Sequence, residues 1–390
     1  MLSFVRNVCL LWLCFVPFVL VAGCTGVATK ARETKVQNEG PVYPAHHVEF
    51  DAGRDPENIV AADFNNDGIL DVAISSHGDS CVKIFLGKGH RGFHLATVIP
   101  KAVVGFHPDC LAATDWDKDG YIDLVLAAEG RSKVIWLRNK GGNGFEKAGA
   151  VPVKYPPKGI ALSDLDGDGN MDIVLGPYSR GNVMVLWGKA QPRFEFQASE
   201  IPAERFASSV SIADWNSDGR PDVFWTETEK YNVKVALNQG NRRFHTKILF
   251  HRSPMILELP RSVVTADVDG DGCVDALSPL EIGKAAIILH GDCKGNVKDL
   301  ETIKAPAWGY RGIGAIAASP GHPAYIALGE KLRIFIGVRN KAGKWDLHEY
   351  KGGKVPEAFV FKDMDKDGNM DVLFVDSAGD TASLYYGPLT

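Results

Sequence analysis

Residues 164–172 read DLDGDGNMD, four aspartates and two glycines in nine positions. Carboxylates brought this close repel one another strongly unless something neutralises them. The stretch is either a solvated acidic turn or a loop that wraps a cation, and the rest of the chain separates the two.

The pattern D-x-[DN]-x-D-G-x-x-D occurs six times, beginning at Asp63, Asp115, Asp164, Asp214, Asp267 and Asp363. Successive starts are 52, 49, 50 and 53 residues apart, and the last gap is 96. That gap is nearly two periods, so a degenerate copy is expected near residue 317. The chain there reads AASPGHPAYIALG, which keeps apolar flanks and lacks the aspartates. Seven units of about fifty residues follow from this self-similarity.

Each unit repeats the same surroundings. Apolar runs such as IVAAD and IALSD lead into the loop, and runs such as DVAIS and DIVLG leave it. A third run follows (VKIFLG, VMVLWG, LRIFIGV), then a more polar fourth that usually opens on an aromatic residue. All are short, rich in branched and aromatic side chains, and bounded by turn formers. Four strands per unit at this period predict an all-β, seven-bladed β-propeller. The last unit ends at ASLYYGPLT without a fourth strand, and HHVEFDA at residues 46–52 is the unclaimed strand-like segment. Its pairing with the last blade would close the ring and cover an open edge. A monomer is expected.

The loop shares its opening with the helical calcium hand, which needs a bidentate glutamate at position twelve. That position holds Ile74, Leu126, Leu175, Trp225, Ser278 or Phe374, and the flanks are strands, so a helical hand is excluded. A shorter ligand set is complete. Position one offers Asp63, Asp115, Asp164, Asp214, Asp267 and Asp363. Position three offers Asn65, Asp117, Asp166, Asn216, Asp269 and Asp365, and position five offers Asp67, Asp119, Asp168, Asp218, Asp271 and Asp367. Position nine offers Asp71, Asp123, Asp172, Asp222, Asp275 and Asp371. The backbone carbonyls of Ile69, Tyr121, Asn170, Arg220, Cys273 and Asn369 stand at position seven. Glycine at position six permits the positive φ of a tight wrap. Hard oxygen donors without histidine or thiolate select calcium. Up to six structural calcium ions are therefore expected, with affinities of about 10⁻⁴ to 10⁻³ M as in extracellular modules.

With these loops on the page, residues 46–390 resemble the FG-GAP/VCBS repeat family, the propeller repeats of integrin alpha subunits and many bacterial surface proteins. The resemblance implies structural calcium on the underside of the propeller. It says little about activity, and the degenerate sixth unit departs from it.

The first residues place the chain outside the cytoplasm. Arg6 precedes an apolar run from Val8 to Val21, the pattern of a secretory signal over residues 1–23. Val21-Ala22-Gly23-Cys24 resembles the bacterial lipobox, which implies lipidation of Cys24 and a membrane anchor. Thr25 at the next position resembles outer-membrane or cell-surface sorting. Residues 24–45 lack apolar periodicity and are read as a flexible tether. A net charge of −5 provides no basic field, which excludes nucleic acid as a partner.

Four cysteines remain beyond Cys24, and four allow three pairings. The four-strand blade puts Cys273 and Cys293 together at the loop end and Cys81 and Cys110 toward the opposite face. Disulfides Cys273–Cys293 and Cys81–Cys110 are expected.

The residues six positions before each loop should ring the channel mouth opposite the loops. They are Glu57, Asp109, Lys158, Ser208, Arg261, Arg311 and Glu357. Acidic members come from blades 7, 1 and 2 and basic ones from 3, 5 and 6, a two-sided mouth suited to a polar ligand. Nearby loops add His77, His107, Tyr178, Arg180, Glu227, Tyr231, Trp308 and Tyr310, and aromatic rings beside charges suit sugars. Three functions compete: a binding module for a protein or glycan, a structural scaffold, and a polysaccharide lyase using His107, Tyr310 and Arg311 as base, acid and carboxylate neutraliser. No nucleophile–base or zinc signature supports hydrolysis.

Overall fold

Blade 1 shows how the repeat is built in this computed structural model. Pro56–Ala62, Asp71–Ser76, Cys81–Gly87 and Phe93–Ile99 pair antiparallel in chain order. The second strand is buried at every position, because both faces of the sheet lie against neighbouring blades. The fourth strand leaves most of its side chains in contact with water, which is why its sequence is more polar.

The same unit recurs. Blade 2 comprises Pro108–Thr114, Asp123–Ala128, Lys133–Asn139 and Phe145–Pro152. Blade 3 comprises Pro157–Ser163, Asp172–Pro177, Val183–Lys189 and Glu195–Ile201. Blade 4 comprises Val210–Ala213, Asp222–Glu227, Asn232–Asn238 and Phe244–His251. Blade 5 comprises Val264–Ala266, Asp275–Leu280, Ala285–Gly291 and Val297–Lys304. Blade 6, the degenerate unit, comprises Gly312–Ile316, Tyr325–Glu330, Arg333–Arg339 and Trp345–Lys351. Blade 7 supplies Pro356–Lys362, Asp371–Asp376 and Thr381–Tyr385, and His47–Asp51 from the other end of the domain completes it. That closing strand runs antiparallel to the last one, from His47 opposite Tyr385 to Asp51 opposite Thr381. The first strands of successive blades touch in a closed ring, blade 7 meeting blade 1. The protein is a seven-bladed β-propeller.

The structure describes residues 32–34, 46–89, 91–189, 191–252, 258–304, 309–320 and 322–389. The leader, Cys24 and Trp308 lie outside them. One stretch expected to be tether behaves differently. Arg32–Thr34 pairs in parallel with the outer strand of blade 5, Arg32 opposite Glu301 and Thr34 opposite Ile303. The outer edge of a fourth strand presents unpaired backbone groups, and an extended segment within reach can satisfy them. Among the described residues no helix is long and apolar enough to cross a membrane.

The core is distributed. Its seven hydrophobic clusters are the seven blade interfaces, each drawing residues from two adjacent blades. Ile59, Val72 and Ile74 of blade 1 meet Leu373, Val375 and Leu384 of blade 7. On the other side, Ala73 and Ile84 of blade 1 meet Leu124, Leu126 and Ile135 of blade 2. No blade buries its apolar faces alone, so closure of the ring completes the core.

Within every canonical-length loop the ninth-position aspartate is the anchor. Asp71, Asp123, Asp172, Asp222, Asp275 and Asp371 are all 0% exposed. One oxygen of each accepts the N–H of loop position two, from Phe64, Trp116, Leu165, Trp215, Val268 and Met364 at 2.7–3.3 Å. The other accepts an N–H sixteen residues ahead at the end of the third strand, from Gly87, Asn139, Gly188, Asn238, Gly291 and Gly387 at 2.7–3.1 Å. One carboxylate thus ties the loop to the strand beyond it. Asp222→Ala orphans two buried donors and should cost roughly 2–6 kcal/mol in urea denaturation. Asp218→Ala, at the half-exposed fifth position, should cost less than about 1.5 kcal/mol.

Candidate functional site

Two regions at opposite ends of the first strands carry chemistry: the nine-residue loops and the channel mouth. In the loops, the first aspartate folds the turn by accepting backbone N–H groups. Asp115 accepts from Asp119 at 3.1 Å and Gly120 at 3.0 Å, and Asp214 accepts from Asp218 and Gly219 at 3.1 and 2.8 Å. The sixth-position glycines have φ between 83° and 90°, and at Gly120, Gly169, Gly219, Gly272 and Gly368 an added Cβ would meet nothing within 4 Å. Conformation, not space, demands glycine there.

The loops fit a hard cation by their donor set and by orphaned oxygens. Carboxylate oxygens of Asp115, Asp117 and Asp119 lie within 4.8 Å of one another, as do those of Asp164, Asp166 and Asp172, and of Asp267, Asp269 and Asp271. Asp117 Oδ1 and Asn216 Oδ1, both at position three, are buried with no hydrogen-bond partner. Burial pushes the carboxyls of Asp123, Asp172 and Asp222 up to about 6 and that of Asp371 to about 7, a cost that a bound cation would offset.

Basic side chains that the sequence reading missed already counter part of this charge. Arg138 Nε lies 2.5 Å from Asp117 Oδ2, and Arg242 Nε, reaching over from blade 4, lies 2.7 Å from Asp166 Oδ2. Arg91 from blade 1 sits 2.6 Å from Asp365 in blade 7, and Lys298 lies 2.7 Å from Asp271. Arg220 pairs with Asp218 inside its own loop. His290 approaches Asp269 and Asp275 at 3.4 and 3.2 Å. Only the spatial adjacency of neighbouring blades reveals Arg91 and Arg242, which lie 274 and 76 residues from their partners.

At the other end, Glu57, Lys158, Ser208, Arg261, Arg311 and Glu357 line one cavity of about 680 Å³, joined by His77, Tyr178, Phe206 and Thr228. Asp109, the seventh rim position, is fully buried and touches the cavity through its partners. The mouth is less two-sided than expected, because its charges interleave. Lys158 Nζ reaches Glu57 at 3.3 Å and Asp109 at 3.5 Å. Arg261 and Arg311 converge on Glu281 at 3.3 and 3.1 Å, and Arg311 also stands 3.6 Å from Glu357. Burial pushes Glu357 up, while Arg261 and Arg311 pull the other way.

A second ring, of which the sequence reading named only His77 and Tyr178, stands six residues after the ninth loop position: His77, Glu129, Tyr178, Thr228, Glu281 and Ser377. The N–H of each donates to a carbonyl eight residues before a loop, those of Asp55, His107, Pro156, Phe206, Leu259 and Val355, at 2.8–3.4 Å. The loop spacing would have marked these positions, since both offsets are constant along the chain.

Other expected groups are placed elsewhere. Tyr310 is 0% exposed and packs edge-on to Phe335 at 5.8 Å, its hydroxyl donating to Lys304 O at 3.4 Å. It presents no acid to the cavity, so the lyase set of His107, Tyr310 and Arg311 is not assembled. Glu227 is buried and accepts from Asn232 Nδ2 and Lys234 Nζ, both at 2.9 Å, a structural role. Arg180 is exposed, and Tyr231 caps the turn Thr228–Lys230.

The FG-GAP-like repeat family matches residues 115–175, 164–225 and 214–278. Residues 115–278 carry three FG-GAP-like repeats. Each matched repeat starts on the first aspartate of one loop and ends twelve positions into the next. The FG-GAP-like unit is therefore offset from the blade by one strand. No curated protein matches the sequence. Among solved structures, the streptogramin B lyase is similar at 15% identity and TM-score 0.58, over 87% of this chain and 97% of that one. A chain from the crystal structure of BBS1N in complex with ARL6DN is similar at 12% identity and TM-score 0.63, over 89% and 97%. At these identities the likeness is one of fold.

The cysteines divide. Cys273, in the fifth FG-GAP-like loop, is bonded to Cys293. Cys81 and Cys110 are free, which corrects the expected second bridge. Cys81 opens the third strand of blade 1, while Cys110 lies on the innermost strand of blade 2 and lines the channel. Two strand spacings of about 4.8 Å put them beyond the Cα separation of about 4.4–6.8 Å that a disulfide tolerates. Burial raises the Cys81 thiol and pushes Cys110 up to about 12. Alkylation of the native protein should therefore spare both, alkylation after unfolding should label both, and Cys273 and Cys293 should label only after reduction, as read by peptide mapping.

Proposed function

We propose that the protein is an exported, lipid-anchored propeller, stabilised by calcium, that binds a protein or glycan through its channel mouth. The single observation that carries the binding reading is the 680 Å³ cavity, where charges of both signs surround Tyr178, a ring that is 43% exposed. An exposed aromatic face beside Lys158, whose Nζ lies 5.6 Å from the ring centroid, suits stacking against a sugar or a peptide side chain. A propeller scaffold holds such groups on rigid strands, and fold alone would permit a purely structural role.

Calcium would be held by the loop aspartates and asparagines at positions one, three, five and nine with the position-seven carbonyls, where it would neutralise converging carboxylates. Anchoring rests on Cys24 and the preceding Val21-Ala22-Gly23. Removing calcium with a chelator should lower the melting temperature cooperatively, and re-addition should restore it, since an ion that binds only the folded state stabilises by mass action. Asp117→Ala should weaken that response. An unchanged melting curve in excess chelator counts against the calcium reading. Cys24→Ala should move the protein from the membrane fraction to the soluble fraction.

For the ligand, the full chain is screened on a glycan array and in pull-downs from envelope extracts, with Tyr178→Ala and Arg261→Glu as controls. Ligands captured by the wild type and lost by at least about tenfold in both variants support the binding reading. Capture that is indifferent to both places the interaction elsewhere and favours the scaffold.

A further inference from the structure

A cluster at the boundary of blades 1 and 2 forms part of the wall of the channel cavity, away from the loops. Glu57, His77 and Asp109 each bring a ligand atom within 4.8 Å of the others. They come from three elements: Glu57 from the first strand of blade 1, His77 from the turn after its second strand, and Asp109 from the first strand of blade 2. His77 Nδ1 stands 3.0 Å from Asp109 Oδ1, close to the edge expected between two ligands whose bonds to one ion are about 2.0–2.1 Å. We propose that these three side chains hold one divalent transition-metal ion of the zinc class, reached from the channel cavity.

An independent feature points at a missing cation. Asp109 is 0% exposed, yet its Oδ2 has no hydrogen-bond partner. A buried carboxylate oxygen left bare is costly, and Glu129 adds a second carboxylate against it. Glu57, Asp109 and Glu129 bring three carboxyl groups to a pocket whose basic side chains are Lys158 and His77. Lys158, 25% exposed beside the cavity, stands 3.3 Å from Glu57 and 3.5 Å from Asp109, so an ion bound there would have to displace its ammonium.

The arrangement around His77 matches what a metal-ligating histidine needs. Its other ring nitrogen, Nε2, is 2.6 Å from His107 Nδ1. Without an ion Nδ1–H donates to the Asp109 carboxylate, and an ion would take that proton's place, with Nε2–H then donating to His107 and the Nδ1 lone pair free to bind. A hydrogen bond to the remote nitrogen fixes tautomer and ring orientation in this way at metal sites. His107 holds that place with a φ of 50°, a left-handed conformation unfavourable for a side-chain-bearing residue. One imidazole nitrogen with carboxylate oxygens suits zinc-class ions, in contrast to the oxygen donors of the loops at the far end, of which the fifth alone among the described residues has an imidazole, His290, beside its carboxylates.

The test uses the full chain stripped with a chelator, returned to calcium so that the loops are filled, and titrated with cobalt(II), with His290→Gln as the control for the imidazole beside the fifth loop. A single equivalent with the intense visible bands of a nitrogen-containing, low-coordinate site is expected, displaced by zinc. His77→Gln and Glu57→Gln, each folded by circular dichroism, should lose those bands, and His107→Ala should weaken binding by about 10–100-fold. Absence of the bands in the wild type, or bands unchanged in His77→Gln, overturns the proposal and leaves Lys158 and His77 as the partners of the carboxylates. These outcomes are independent of glycan or protein capture and of the response to calcium.

Discussion

A buried carboxylate at the ninth loop position is the constraint on which this architecture turns. It accepts one N–H from the loop it ends and another from the third strand, and it does so with the same offsets in six blades. Water cannot reach it, so both donors would be orphaned by any residue that cannot accept. The loop must wrap back to the second position, and the third strand must end level with the loop. Blade geometry follows from that pair of bonds. Where the chain lacks the aspartate, in blade 6, Tyr325 opens the second strand and the turn is held instead by the bridge between Ser319 and His322.

The same carboxylates create the problem that the surrounding charges resolve. Six loops with three or four acids each would repel their own strands apart. Arg91, Arg138, Arg242 and Lys298 approach loops that carry aspartate at position three, whereas the Asp63 loop has asparagine there and no such partner among the described contacts. Arg91 and Arg242 cross from one blade to the next, so charge balance also joins blades. Asn139 and Asn238 do likewise, donating to Phe64 O and Leu165 O of the preceding blade at 2.8 and 2.7 Å. An ion seated deeper in the loop would act on the position-three oxygens that these bases leave bare.

Blade number, strand order and closure were legible in the sequence because each follows from a period: fifty residues for the blade, alternating burial within strands, and one missing strand matched by one spare. The rim was legible for the same reason, since a constant offset from an aspartate fixes height along a strand. What escaped was whatever depends on distance across the ring. Glu281 draws Arg261 and Arg311 together from different blades, and no local pattern predicts that. Tyr310 sits one residue before a rim position, yet its ring turns into the interface of blades 5 and 6. The Cys81–Cys110 pairing failed because height along the axis was judged correctly while radial distance was not. Positive φ at the fourth loop position, seen at Asn66, Lys118, Ser217 and Lys366, was also hidden, since lysine and serine give no signal for it.

The division of labour between the two ends explains why strain and bare charge can persist at the mouth. The loop end and the blade interfaces bury the ninth-position aspartates, the described tryptophans and most of the buried apolar side chains, so they hold each first strand in place. At the mouth, the backbone links run from the N–H of the second ring to carbonyls two residues before the first, beside the ion pairs of Lys158, Arg261 and Arg311. Residues there can adopt costly conformations, as Asp55, His107 and Phe206 do at equivalent positions with φ of 49°, 50° and 57°. Stability supplied elsewhere over-determines these backbones. A ring built this way tolerates charge clusters at its mouth that an ordinary core would reject, and that tolerance is what a binding surface requires.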